Sequence, residues 1–97
     1  MAPEYSVEYT TRTTLSRDET PKPGNFAPRF MAGNMNEASL IVQGFLDKRN
    51  SGYIVVCDAY VKETGKEEKR QILKNGQWLI DQEGNLKSLE VKLEDKK

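Results

Sequence analysis

Histidine is absent from the chain. That removes the commonest general base, the commonest transition-metal ligand and the ordinary titrating group between about pH 5 and 8. Cysteine occurs once, at Cys57. No disulfide can form within one copy, and the four His or Cys ligands of a structural zinc site are missing. A lone thiol fits a reducing compartment, so the expected location is cytoplasmic. Charge of one sign is also lacking, because 15 basic residues balance 15 acidic ones. Proteins that hold nucleic acid or an anionic bilayer by bulk electrostatics carry a surplus of Lys and Arg. No apolar run approaches the roughly 18 residues of a membrane span. The start, Met1-Ala2-Pro3-Glu4, has no basic region followed by an apolar stretch, so no secretory signal is expected. Neither phosphate-cradling pattern, Gly-x-x-x-x-Gly-Lys-Ser/Thr or Gly-x-Gly-x-x-Gly, is present.

What remains is 97 residues, 36% hydrophobic and 31% charged. That length predicts a single small domain over 1–97, with one modest core and little room for a deep pocket. From Glu4 to Ser16 the chain alternates. Tyr5, Val7, Tyr9, Thr11, Thr13 and Leu15 share one face, and Glu4, Ser6, Glu8, Thr10, Arg12 and Thr14 share the other. Period two with β-branched and aromatic residues marks a half-buried strand. Residues 17–36 break the pattern with Pro21, Pro23, Gly24, Pro28 and Gly33 and read as a long loop or surface segment. Yet this segment also carries Phe26, Phe30, Met31 and Met35, more large apolar side chains than a solvated linker needs.

Ser39 to Asp47 admits two readings. Asn34 with Glu37 forms a possible capping box, which favours a helix near 36–49. Ile41, Val42 and Gly44 oppose it, and the sequence reading prefers a strand that leads into a loop at Lys48–Gly52. Tyr53–Lys62 is the clearest element. It is apolar on both sides, as a central strand covered on both faces would be. Glu67 to Lys74 reads as a solvated outer strand, although its propensity is helical and Thr64 with Glu67 offers a second capping box. Asn75-Gly76 then predicts a tight hairpin into Gln77–Asp81. Glu83-Gly84-Asn85 makes a turn, Lys87–Leu93 alternates as a last strand, and 94–97 is expected to fray. The predicted fold is mainly β: a small antiparallel meander, as a barrel, roll or sandwich, with an N-terminal strand and a Pro-containing loop. The alternative is α+β with one helix near 36–49.

No catalytic residues, metal ligands or cofactors are expected. Cys57 lacks an activating base and lies in an apolar run, where a thiol behaves as a small buried hydrophobe. Asp81–Asn85 lacks the ligand spacing of a calcium loop. Strict alternation along the central strand puts Ile54, Val56, Asp58 and Tyr60 on one face. A buried carboxylate there needs a partner, with Arg29 or Arg49 available, or else points outward as a charge against aggregation. An apolar face of this kind needs a cover, either internal, from the 17–36 segment, or external, from another protein or a second copy. The external cover is the preferred reading. The expected function is a non-enzymatic protein-interaction module acting through a sheet face, a strand edge or the 17–36 segment, with Ile54, Val56, Asp58, Tyr60, Phe26 and Phe30 as candidate contacts. The alternative is a small β-barrel binding single-stranded nucleic acid through Tyr53, Lys48, Arg49, Lys69, Arg70 and Trp78. No membrane partner is expected.

Overall fold

The computed structural model describes residues 2–14, 20–24, 28–50 and 52–87. The elements in order are β1 (Glu4–Thr13), β2 (Lys22–Pro23), β3 (Arg29–Met31), α1 (Met35–Arg49), β4 (Ile54–Glu63), β5 (Lys69–Lys74) and β6 (Gln77–Trp78). The strands form one antiparallel six-stranded sheet in the order β2-β1-β4-β5-β6, and β3 also pairs with β1. The architecture is mainly β with one helix laid on one face of an open sheet. The mainly-β expectation holds, and the one-helix alternative near 36–49 matches the detail.

The preference for a strand over Ser39–Asp47 is overturned. Asn34 caps α1 by accepting a bond of 2.8 Å from the Glu37 amide, and the Glu37 carboxylate takes the Gly33 amide at 2.7 Å. Ala38, Ser39, Val42 and Leu46 recur at helical spacing and are all buried. This stripe outweighs the β-branched Ile41 and Val42 and the roughly 1 kcal/mol cost of Gly44 in a helix interior. At the far end, Asn50 donates its amide to Leu46 and accepts the Val56 amide at 2.9 Å on its side chain. The helix end is thereby tied to β4.

Under α1 the core gathers Tyr5, Val7 and Tyr9 of β1, Val56, Ala59 and Val61 of β4, and Ile72 and Leu73 of β5, with Ala32 and Ile80. Two β-bulges shape it. Thr10 pairs with Asp58 and Thr11 with Val56, which leaves Cys57 surplus. Ala59 pairs with Leu73 and Tyr60 with Gln71, which leaves Ile72 surplus. A surplus residue resets the alternation of faces. Strict alternation along Ile54–Tyr60 is therefore wrong: Val56, 1% exposed, joins Ala59 and Val61 in the core, while Tyr60 pairs with Glu8 and Gln71 on the opposite face. The same device lets Ile72 and Leu73, adjacent in sequence, both enter the core. The continuous apolar run of β4 reflects this change of phase. Among the described residues, no element lies over its second face.

The hairpin at Asn75-Gly76 has the predicted form. Leu73 pairs with Trp78 and Lys74 with Gln77, and both loop residues have positive φ, 50° and 82°. That conformation is the type I′ turn favoured by Asn-Gly. The chain returns through an Ile80–Leu86 bridge around a turn in which Asp81 accepts the amides of Glu83 and Asn85. The predicted strand at Lys87–Leu93 and the frayed tail 94–97 fall almost wholly outside the described residues, as does Phe26.

Candidate functional site

The edge of the sheet beyond β1 is built from the Pro-containing segment. Ala32 donates its amide to Pro3 at 3.2 Å, and pairing continues at Tyr5–Phe30 and Ser6–Arg29. Residues in an antiparallel pair alternate between bonding across and facing away. Phe30 thus turns its backbone groups towards β1, whereas Arg29 and Met31 turn theirs to the open side. Pro28 stops β3, because the next bonded position, opposite Val7, needs the amide hydrogen that proline lacks. In β2 the pattern places Pro23 at an outward position, since Gly24 is the residue that bonds Tyr9, at 2.8 Å. The outward edge of β2 therefore has no donor at Pro23. Among the described residues, β1 is the sole strand partner of β3.

Beside this edge runs an apolar groove between β3 and the flank of α1. Val7, Pro28, Phe30, Ile41, Val42 and Phe45 line a cavity of about 100 Å³. Phe30 stacks on Tyr5 with ring centres 6.1 Å apart, and Phe45 meets Tyr9 edge-on at 6.2 Å. The walls are thus fixed from below by core tyrosines. Ile41 is 41% exposed, which leaves the rim apolar as well. A dry cavity of about 150 Å³ holds a benzene ring, so this one suits a smaller aliphatic side chain.

The residues expected from sequence to form one binding face are scattered. Val56 is a core residue, and Ile54 lines a separate shallow pocket with Tyr9, Thr11, Gly24 and Arg49. Asp58 is paired neither with Arg29 nor with Arg49. It accepts the Asn75 amide at 3.1 Å and the Thr10 hydroxyl at 3.4 Å, so it anchors the hairpin turn. Tyr60 lies on the open face beneath Lys69, whose ammonium is 4.8 Å from the ring centre and 3.0 Å from the Glu8 carboxylate. The cover of Val56 is α1, which neither sequence reading of that face considered. Of the five that fall among the described residues, Phe30 alone lines the groove. Sequence reasoning missed Pro28 and Ile41. An exposed isoleucine on a helix would have been the signal, but it required the helix to be recognised first.

The nucleic-acid candidates do not converge either. Lys48, Arg49 and Tyr53 lie near the start of β4, while Lys69 and Arg70 pair with Lys62 and Val61 at its far end. Trp78 packs partly against the core. Arg70 is engaged inside the fold, donating to the Asn36 side chain at 3.0 Å, the Gly84 carbonyl at 2.9 Å and the Ser39 hydroxyl at 3.4 Å. Helix α1 is not long and apolar enough to cross a membrane. Comparison of the chain with protein-family models, with curated proteins and with solved structures returns no match.

Proposed function

We propose that the chain is a non-enzymatic protein-interaction module that takes an extended segment of a partner by strand addition at β3. The observation that carries this reading is the juxtaposition of outward backbone groups at Arg29 and Met31 with an apolar groove lined by Phe30, Ile41 and Phe45. In strand addition the main-chain bonds supply affinity, and pockets for alternate side chains supply specificity. A partner strand beside β3 directs every second side chain towards α1, into the groove. The lone thiol fits a cytoplasmic setting for such binding.

The test compares capture from host lysate by the unaltered chain, by Met31→Pro and by Ile41→Asp, each with and without nuclease. Met31→Pro removes an outward amide at an edge position where proline is tolerated. Ile41→Asp puts a charge on the groove rim and leaves the core alone. Loss of one protein partner with both variants, at unchanged unfolding midpoints and regardless of nuclease, supports strand addition. Capture that survives both variants overturns it. Captured material that disappears on nuclease treatment favours the nucleic-acid reading.

A further inference from the structure

We infer that the segment taken at β3 is acidic as well as apolar, with a carboxylate adjacent in sequence to the side chain that fills the groove; this rests on the strand-addition reading above. The argument is charge complementarity along the β3 edge. Arg29 is exposed, pairs in register with Ser6, and has no salt-bridge partner among the described residues. Its side chain therefore lies on the open face of the sheet, opposite in sense to Phe30. Lys48 follows Phe45 by three residues on the same flank of α1, and it too is exposed and without a salt-bridge partner among the described residues. Arg49 sits over the Phe45 ring at 5.3 Å from its centre. The acid on this side of the helix, Glu37, is held by the Gly33 amide in the cap. A strand docked on β3 thus meets one cation on the open face of the sheet, Arg29, and another on the helix side, Lys48.

Glu4 narrows the pattern further. It pairs in register with Met31, so the open face beside Met31 is acidic and apolar while that beside Arg29 is cationic. A strand docked here alternates between faces. The residue directed at the groove is bulky and aliphatic. Its neighbour opposite Arg29 is Asp or Glu, and the residue opposite Met31 is uncharged or apolar. Lys48 favours a second carboxylate towards the α1 C-terminus.

The probe is a random dodecapeptide phage library panned on the full chain. The leading peptide is then synthesised in fluorescent form, together with a version whose acids are replaced by lysine. Enriched peptides are expected to carry Asp or Glu next to a bulky aliphatic residue. They should bind several-fold more tightly at about 0.05 M than at about 0.5 M salt. Charge reversal at exposed positions is expected to weaken them roughly tenfold in Arg29→Glu and Lys48→Glu, and Arg29→Glu should prefer the lysine version. Enriched peptides that lose binding in Ile41→Asp but are neutral or basic overturn the acidic inference and leave strand addition standing. Peptides indifferent to Ile41→Asp, or no enrichment over an unrelated control protein, remove both. Sedimentation completes the test: a dimer dissolved by Met31→Pro would make the occupant a second copy of this chain and overturn the inference.

Discussion

At the scale of single residues, Arg70 joins three parts of the fold. Its guanidinium reaches the first turns of α1 through Asn36 and Ser39, and the 81–85 turn through the Gly84 carbonyl. Gly84 has φ of 85°, and a Cβ there would collide with the Asn36 backbone, so the turn and the helix can meet only at a glycine. Hydrogen bonds to a charged group contribute about 1.5–3 kcal/mol each. Arg70→Ala should therefore lower stability by roughly 2–3 kcal/mol in urea unfolding, since Asn36 and Gly84 regain some bonds from water. Tyr5 makes a second residue-scale prediction. Burial pushes its phenol pKa up, and the Glu63 and Glu37 carboxylates push in the same direction. The folded chain then holds this proton more tightly than the unfolded chain, where the phenol titrates near 10. The resulting stability is complete below about pH 10 and is lost as pH rises towards the folded value. Tyr5→Phe should lose less stability than the unaltered chain between about pH 9 and about pH 11, read from urea midpoints. The role of Arg70 was not legible in the sequence, where it stood among exposed lysines. Its partners lie on α1 and beyond β6, far from it along the chain.

At the scale of elements, legibility followed how local the determining signal was. The Asn75-Gly76 hairpin was readable because turn chemistry resides in two adjacent residues. Gly76 has φ of 82° and donates its amide to the Cys57 carbonyl at 2.9 Å. Gly76→Ala keeps that amide but must adopt a left-handed backbone, and should cost more than about 1 kcal/mol in chemical unfolding. Strand β1 was readable because its alternation continues without a bulge of its own. Helix α1 was misread because propensity at Ile41, Val42 and Gly44 was weighed against a cap, while the decisive term was a buried stripe facing a sheet not yet assembled. The face of β4 was misread for a different reason. Nothing in Val55-Val56-Cys57-Asp58 announces an unpaired residue, because a bulge belongs to two strands and the second strand lies elsewhere in the sequence.

At the scale of the whole molecule, the sheet has two different accessible surfaces. The open face is occupied by its own side chains, with Lys69 lying between Glu8 and the Tyr60 ring. The β3 edge combines outward backbone groups, without a strand partner among the described residues, with the groove. These surfaces separate in one comparison. Tyr60→Ala removes the centre of the open face and should leave partner capture within about twofold, a difference of under 0.5 kcal/mol. Ile41→Asp should abolish it at an unchanged unfolding midpoint. The reverse outcome would return the function to the sheet face. The candidate site was legible only in part: Phe30 stood out as an unexplained aromatic in a Pro-containing segment, but the opposing wall comes from a helix flank.

The surplus residue in β4 also fixes where this strand tolerates a change of length. Losing one residue from an ordinary strand reverses inside and outside for everything beyond the cut. Cys57 is the exception, because Asp58 and Val56 already face consecutive partners, Thr10 and Thr11. Excising Cys57 leaves Val56 inward and Asp58 outward, and sacrifices the carbonyl that receives the Gly76 amide. A chain lacking Cys57 should therefore still fold with its groove intact, whereas one lacking Val55 should not. Circular dichroism and the unfolding midpoint of the two deletions distinguish them. In β4, a single codon can be lost at the bulge without rewriting which side chains meet water.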